Sequence, residues 1–203
     1  METHAEKPEY LGLLNAISLA ESDAGVYLEA WANATTDEDL ACVLRLVAAR
    51  EKSHGEVFCR RIAEMGFELR PKADPGAAAR LAKYANPKVS DLEKIGPERD
   101  DSGTRKFFAD TDRKIAEGYF DPMTCNLMQW YIAEEKDSGR RLRAAYDCVR
   151  EKSHDGKKAR LNGNGASHTA EAPTADAEAI MACMTAGFSR LEKSLEKLAK
   201  AMK

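Results

Sequence analysis

The sequence predicts an all-α fold in which a four-helix bundle is followed by a C-terminal amphipathic helix. Four long segments place apolar residues three or four positions apart, which is the period of a helix with one buried face. No segment shows the apolar–polar alternation that is typical of a strand. The composition, with 43% hydrophobic and 32% charged residues, also suits a soluble helical protein.

The four helices are expected at about residues 11–33, 37–65, 104–117 and 121–150. Their ends carry ordinary capping signals. Asp37 or Thr36 is a natural N-cap and Gly66 a stop for the second helix, and Gly118 closes the third. The fourth begins at Asp121-Pro122, because proline fits the first helical position.

The links between these helices predict two antiparallel hairpins joined by a long crossover. The first two helices are separated by the short ATTDED turn, and the last two by YFDP. About 38 residues, 66–103, lie between the hairpins, with short helices expected at 75–85 and at 90–95, where Ser90 is the cap. Two hairpins and one long crossover form the ferritin-like arrangement of a four-helix bundle.

Beyond the bundle, assigned to residues 1–150, the sequence predicts a flexible linker at 151–175 and a helix at 176–203. The last helix has a heptad seam of Met181, Met184, Phe188, Leu191, Leu195, Leu198 and Met202. A helix with such a seam must bury it, and self-association into a homo-oligomer is the simplest way. Packing onto the bundle or onto another protein is the alternative.

Two ionisable side chains interrupt the apolar stripe of the second helix at its centre. The stripe consists of Leu40, Val43, Val47, Glu51, His54, Phe58, Ile62 and Met65. The first helix has one such interruption, Glu21, which lies 15 residues before Thr36, as Glu51 lies 15 after it. In a hairpin that turns near Thr36 they come level. Buried carboxylates at one depth repel each other unless they share protons or bind a cation, so a metal site is expected here.

The fourth helix adds Glu135, because AEEKDSG aligns with AREKSHG and pairs Glu135 with Glu51. Ser138 then stands where His54 stands in the second helix, and Glu134 is the alternative ligand if the helix is rotated. The third helix offers only Asp112. The hairpin spacing places Arg105 or Lys106 level with Glu135, and Asp112 about 10 Å nearer the YFDP loop.

The pentapeptide REKSH occurs twice, at residues 50–54 and 150–154. The second copy follows the last apolar residue of its helix, so Glu151 and His154 are expected in water and without a metal role. For the first copy, a hydrogen-bonded polar layer without metal is the alternative to a metal site.

Three stretches carry a resemblance: Glu21, EKSHGEVF with Glu51 and His54, and EEKDSG with Glu135. Over about residues 10–150 the chain resembles the ferritin-like superfamily, in particular its rubrerythrin-like branch. The resemblance implies a non-haem di-iron carboxylate site that reacts with oxygen or peroxide and takes electrons from a donor.

In that resemblance Glu51 bridges the irons, Glu21 and His54 complete the first site, and Glu135 with Asp112 holds the second. The chain departs from the family's pattern at Ser138, which replaces a second histidine, and it lacks the cysteine-bound rubredoxin module. One iron, a di-iron oxygenase of an organic substrate, and a metal-free bundle acting as an oligomeric interaction module remain alternatives.

The net charge, the hydropathy and the first residues indicate which kinds of partner and which compartment to expect. The formal net charge of -3 gives no reason to expect nucleic acid, and no apolar run is long enough to cross a bilayer. The first residues, METHAEKPEY, lack the order of a secretory signal, so the cytoplasm is expected. Five separated cysteines without Cys-x-x-Cys argue against a zinc ribbon or a rubredoxin-type site.

Overall fold

The computed structural model describes residues 6–97 and 102–161, with side chains described as far as residue 153. This part of the chain contains helices and no strand, which confirms the all-α class. The helices are α1 (Leu11–Ala34), α2 (Glu38–Glu64), α3 (Ala77–Ala85), α4 (Asp91–Ile95), α5 (Ser102–Ala116) and α6 (Pro122–Leu161).

The capping signals act as the sequence predicts. The Asp37 carboxylate accepts a hydrogen bond from the Leu40 backbone N–H, at 3.2 Å, and so opens α2. Ser90 and Glu93 form a reciprocal capping box that starts the five-residue α4. After α2 and α5 the chain turns at Gly66 and Gly118, whose φ angles of 82° and 70° favour glycine.

Helix α6 is longer than predicted. It was expected to end near residue 150, with a linker from 151, but it continues to Leu161. Glutamate, lysine and arginine dominate this extension and favour a helix, while Gly156 costs only about 1 kcal/mol. Lys152 also ties α6 to the start of α2 through Asp37, at 2.8 Å. The remainder of the predicted linker and the predicted helix at 176–203 lie outside the described residues.

The core consists of two apolar clusters with a polar layer between them. The first contains Tyr10, Leu11, Leu14, Ile17, Phe58, Ile62, Phe120, Met128, Tyr131 and Ile132. The second contains Leu28, Trp31, Ala32, Leu40, Leu44, Val47, Ala48, Ile95 and Val149. Along α1, α2 and α6 alike, one ionisable segment separates the two clusters. These segments contain Glu21, Glu51 with His54, and Glu134 with Glu135.

Helix α5 contributes less to the core than the other long helices. Three residues of α5, Phe107, Phe108 and Ile115, pack against the first cluster. The only buried residue of α5 is Thr111. Its contact with α6 includes an ion pair between Asp112 and Lys136, at 3.3 Å.

Within the described residues, the helices are all too short or too polar to cross a bilayer.

Candidate metal centre

The structure brings together four of the five residues that the sequence predicts as ligands. Glu21, Glu51, His54 and Glu135 each offer one ligand atom, and these atoms all lie within 4.8 Å of one another. The first three residues are 8%, 6% and 0% exposed, so the group lies inside the protein. The hairpin spacing about Thr36 therefore placed the α1 and α2 carboxylates at the correct depth.

The imidazole of His54 is at the centre of this group. Its Nδ1 lies 3.4 Å from Glu135 Oε1, 3.7 Å from Glu51 Oε2 and 3.9 Å from Glu21 Oε2. Its Nε2 points the other way, to Glu134 Oε2 at 3.3 Å. Both consecutive α6 glutamates thus face His54, although the sequence treats Glu134 only as an alternative.

The ring of His54 is held by aromatic neighbours. Trp130 and Tyr131 meet it edge-on, with ring centroids at 4.9 and 5.2 Å. These contacts fix the ring plane, so the two nitrogens keep their separate directions. When the Nε2 N–H donates a hydrogen bond to Glu134 and Nδ1 carries no proton, the lone pair of Nδ1 faces the three other carboxylates. A carboxylate behind a ligating histidine is the usual way to fix this tautomer.

Two buried atoms in the group have no hydrogen bond: His54 Nδ1 and Glu135 Oε1. They face each other at 3.4 Å, but their geometry does not form a bond. An unsatisfied buried polar atom costs about 1–3 kcal/mol. A cation bound at about 2.1 Å from each ligand would satisfy both, and it needs only a slight contraction of the group. The residues present therefore fit a metal ion.

Tyr131 orients the α1 ligand. Its hydroxyl donates a hydrogen bond to Glu21 Oε1 at 2.7 Å, while Glu21 Oε2 is the atom nearest His54. Burial and the negative charge of Glu21 raise the pKa of Tyr131, so the phenol remains a donor. Tyr131 lies four residues before Glu135 on α6, and nothing in the sequence indicates this bond.

Protons compensate the group when no metal is bound. Burial raises the pKa of Glu51 to about 9, and the nearby Glu21 and Glu135 add to this effect. Burial alone lowers the pKa of His54, but the surrounding carboxylates, Glu134 first, outweigh it and raise that pKa to about 12. Burial also opposes ionisation of Glu21, yet the nearby His54 and Glu51 and the hydrogen bond from Tyr131 lower the pKa of Glu21. At neutral pH, His54 and Glu51 both hold protons.

Two glycines allow α1 and α2 to approach closely at this depth. A Cβ on Gly55 would lie 2.3 Å from Ser22 Oγ and 3.1 Å from the Ser18 carbonyl oxygen, and Ser18 Oγ donates to the Gly55 carbonyl at 2.8 Å. A Cβ on Gly25 would lie 3.0 Å from the Ala48 carbonyl oxygen. The close approach brings Glu21 within reach of His54. In the sequence, the signal for this close approach is the presence of small residues at matching depths on the two helices.

Asp112, the predicted fifth ligand, lies outside the group. Its carboxylate side chain is 57% exposed and pairs with Lys136. The hairpin spacing predicts that Asp112 lies about 10 Å from the level of Glu135 along the helix axis, which would keep it out of the group. In the structure the Asp112 carboxylate pairs with Lys136, the residue after Glu135, on the exposed surface of the helices. Its side chain is therefore directed away from the metal centre.

The position that corresponds to a second histidine holds Ser138, which is 2% exposed. Its hydroxyl accepts a hydrogen bond from Arg50 Nη1 at 3.3 Å, and the same nitrogen pairs with Asp137 at 2.8 Å. A guanidinium here disfavours a second cation. Within residues 6–97 and 102–153, the group around His54 has the ligands for one ion.

In the second REKSH copy, Glu151 is exposed, as expected, while the side chain of His154 is outside the described residues.

Comparisons with protein-family models, with curated proteins and with solved structures find no match to this chain. The functional assignment therefore depends on the chemistry of the site, a buried group of three carboxylates and one histidine that has the geometry to bind a metal ion.

Proposed function

We propose that this chain is a non-haem iron protein of ferritin-like architecture, which oxidises Fe(II) or reduces oxygen or peroxide at its carboxylate–histidine group. The observation that carries the proposal is the pair of buried atoms, His54 Nδ1 and Glu135 Oε1, that lack hydrogen bonds within a group of ligand size. The resemblance of the EKSHGEVF and EEKDSG stretches supports the same assignment.

Iron suits this ligand set because it binds both carboxylate oxygen and imidazole nitrogen, and when bound it supplies one-electron redox chemistry. The protein's part is to hold the ligands. Tyr131 orients Glu21, and Glu134 holds the Nε2 proton of His54. Three ionised carboxylates balance a trivalent ion, so the group favours Fe(III) over Fe(II) and promotes oxidation.

The first prediction concerns stoichiometry. Protein purified aerobically from iron-supplemented medium is expected to hold about one iron per chain, because the described ligands form one site. Elemental analysis after gel filtration measures it. Asp112→Asn is the matched control, since it removes a carboxylate outside the group and should leave the iron content unchanged.

Two irons per chain, with one lost in Asp112→Asn, would show that the di-iron arrangement of the resemblance holds instead. Wild-type protein that binds no iron, and no manganese or zinc, would exclude a metal function.

The second prediction concerns protons. At pH 6–8, metal binding is expected to release the protons of His54 and Glu51, because their pKa values of about 12 and 9 lie above this range. Affinity for Fe(II), measured under anaerobic conditions, should rise with pH, up to about 100-fold per unit for two protons. Isothermal titration calorimetry in buffers of different ionisation enthalpy counts the protons. Binding without proton release would contradict this arrangement.

The alternative function is a metal-free bundle that serves as an interaction module. The protonated His54 and Glu51 favour it, since they compensate the carboxylates without a cation. So does the Arg50 guanidinium beside Ser138. The iron analysis above separates the two functions.

A further inference from the structure

A cleft opens on the carboxylate side of the metal centre. It has a volume of about 1130 Å³, and three of the four candidate ligands, Glu21, Glu51 and Glu135, form part of its wall. The imidazole of His54, whose Nδ1 faces these carboxylates, is 0% exposed. Within the described residues, a small molecule therefore approaches the ligand atoms from the cleft.

Helix α1 forms one wall of this cleft with three residues of a single face. Ala20, Ala24 and Tyr27 are four and three positions apart, and all three line the cleft. The two alanines are small, so the wall stays open beside the phenol. Tyr27 follows Glu21 by six residues, about 9 Å along the helix, and a long side chain on a helix points back toward its N-terminus. The hydroxyl of Tyr27 is therefore carried toward the level of Glu21.

The ring of Tyr27 is held by two residues of α3. It stacks on Tyr84, with ring centroids at 5.0 Å and an interplanar angle of 24°. The guanidinium of Arg80 lies over the same ring, 5.7 Å from its centroid, and is itself paired with Asp23 and Asp74. These contacts fix the ring, so the direction of the hydroxyl is set before a ligand binds.

The Tyr27 hydroxyl has no hydrogen bond within the described residues, although the side chain is half-buried. Other tyrosines near the metal centre use theirs. Tyr131 donates to Glu21 at 2.7 Å, and Tyr84 donates to the Lys94 carbonyl oxygen at 3.4 Å. The Tyr27 oxygen is not sealed inside the protein, and its ring lines the cleft. Because a tyrosine hydroxyl in such surroundings usually has a partner, this one is available to a ligand.

Tyr27 keeps its proton at neutral pH. Burial raises the pKa of Tyr27 to about 12, and the neighbouring Tyr84 and the negative charge of Glu51 add to this effect. The influence of Glu51 also shows that the phenol lies within electrostatic range of the metal centre. The hydroxyl is therefore a hydrogen-bond donor, which suits a ligand with an electron-rich oxygen atom.

We propose that Tyr27 binds the oxidant, and that its hydroxyl donates a hydrogen bond to oxygen or peroxide in the cleft beside the carboxylates. The residue holds and orients this molecule, and it transfers neither a proton nor an electron. The proposal rests on the proposed function, since a bundle without a metal has no oxidant to hold.

Azide is the probe, because it is a small anion that binds ferric iron and accepts hydrogen bonds. Its affinity is measured on the iron-loaded full chain by absorbance titration. In Tyr27→Phe we expect azide to bind about tenfold more weakly, with the iron content unchanged. Tyr84→Phe is the matched control. Its ring also lines the cleft, but its hydroxyl donates to a backbone carbonyl, so azide affinity should stay within about twofold of wild type.

Oxidation of the Fe(II)-loaded protein by peroxide gives a second measurement. Loss of a hydrogen bond that serves to bind the oxidant should raise the peroxide concentration at half-maximal rate about fivefold. The limiting rate at high peroxide should stay within about twofold of wild type. A displaced metal ligand would instead lower the limiting rate.

Thermal unfolding tests the free hydroxyl without metal. Tyr27→Phe should melt at the wild-type temperature or slightly above it, because no hydrogen bond within the protein is lost. Tyr131→Phe loses the bond to Glu21 and should melt at a lower temperature. If Tyr27→Phe melts as low as Tyr131→Phe, the hydroxyl is bonded within the protein and the proposal is wrong.

Equal azide affinity in wild type and Tyr27→Phe overturns the proposal and leaves the proposed function intact. An equal loss of affinity in Tyr84→Phe also overturns it, because the effect then comes from the packing of the rings. Loss of iron in Tyr27→Phe overturns it as well, since Tyr27 would then hold the metal centre together. A chain that binds no metal removes the proposed function and this inference together.

Discussion

Replacing Glu51 with glutamine is expected to abolish iron binding and, above neutral pH, to stabilise the metal-free protein. Glutamine keeps the shape of the side chain but offers only a weak neutral oxygen to a cation. Glu51 is the least exposed of the three carboxylate ligands. We therefore expect its loss to weaken metal binding at least about 100-fold, which is more than the loss of a supporting residue would do. The gain in stability follows from protonation.

The pKa of Glu51 rises from 4.5 to about 9 on folding. Below pH 4.5 the folded and unfolded states both hold the proton, so this group costs nothing. As pH rises from 4.5 toward 9, only the unfolded state releases it, and stability falls by up to about 1.4 kcal/mol per pH unit. Glutamine has no proton to release. At pH 8 we therefore expect the variant to exceed wild type by roughly 1–3 kcal/mol.

Urea unfolding of metal-free protein at pH 5 and pH 8 measures this effect, and elemental analysis measures the iron. His54 titrates in the same direction in both proteins, so only the difference between them reports on Glu51. Glu56→Gln is the control, because Glu56 is on the same helix and exposed. If Glu51→Gln is destabilised equally at both pH values, Glu51 is ionised in the folded protein and the proton arrangement is wrong.

The fold was predictable where it depends on local periodicity. The short helix at SDLEKI and its Ser90 cap were predicted because the capping box is a local interaction. The level positions of Glu21 and Glu51 followed from counting, since two antiparallel helices rise equally from their turn. The predicted end of α6 was too early because the apolar stripe stops at Val149, whereas the helix continues to Leu161 through polar residues that favour a helix.

The metal centre was less predictable than the fold, because the direction in which a side chain points and its burial depend on tertiary packing. Counting along a helix gives depth, but a rotation decides that Glu134 and Glu135 both reach His54, whereas Asp112 turns to Lys136.

Replacing Gly55 with alanine is expected to destabilise the protein by about 2 kcal/mol and to weaken metal binding. Helix propensity alone favours alanine by about 1 kcal/mol. Against this, the new Cβ lies 2.3 Å from Ser22 Oγ and 3.0 Å from the Ser22 backbone nitrogen, and overpacking of this kind costs about 1–3 kcal/mol or more. Backbone atoms cannot rotate away, so α1 and α2 must separate.

The separation acts on the metal centre because Gly55 follows His54 and Ser22 follows Glu21. Gly12→Ala is the matched control on α1, where a Cβ meets nothing within 4 Å and alanine should add up to about 1 kcal/mol of stability. Ser22→Ala in the Gly55→Ala background removes the nearest clash but leaves the backbone contact, so partial recovery is expected. Urea unfolding and iron affinity measure both effects. Gly55→Ala as stable as wild type, with full iron affinity, would show that close contact of α1 and α2 is not what assembles the metal centre.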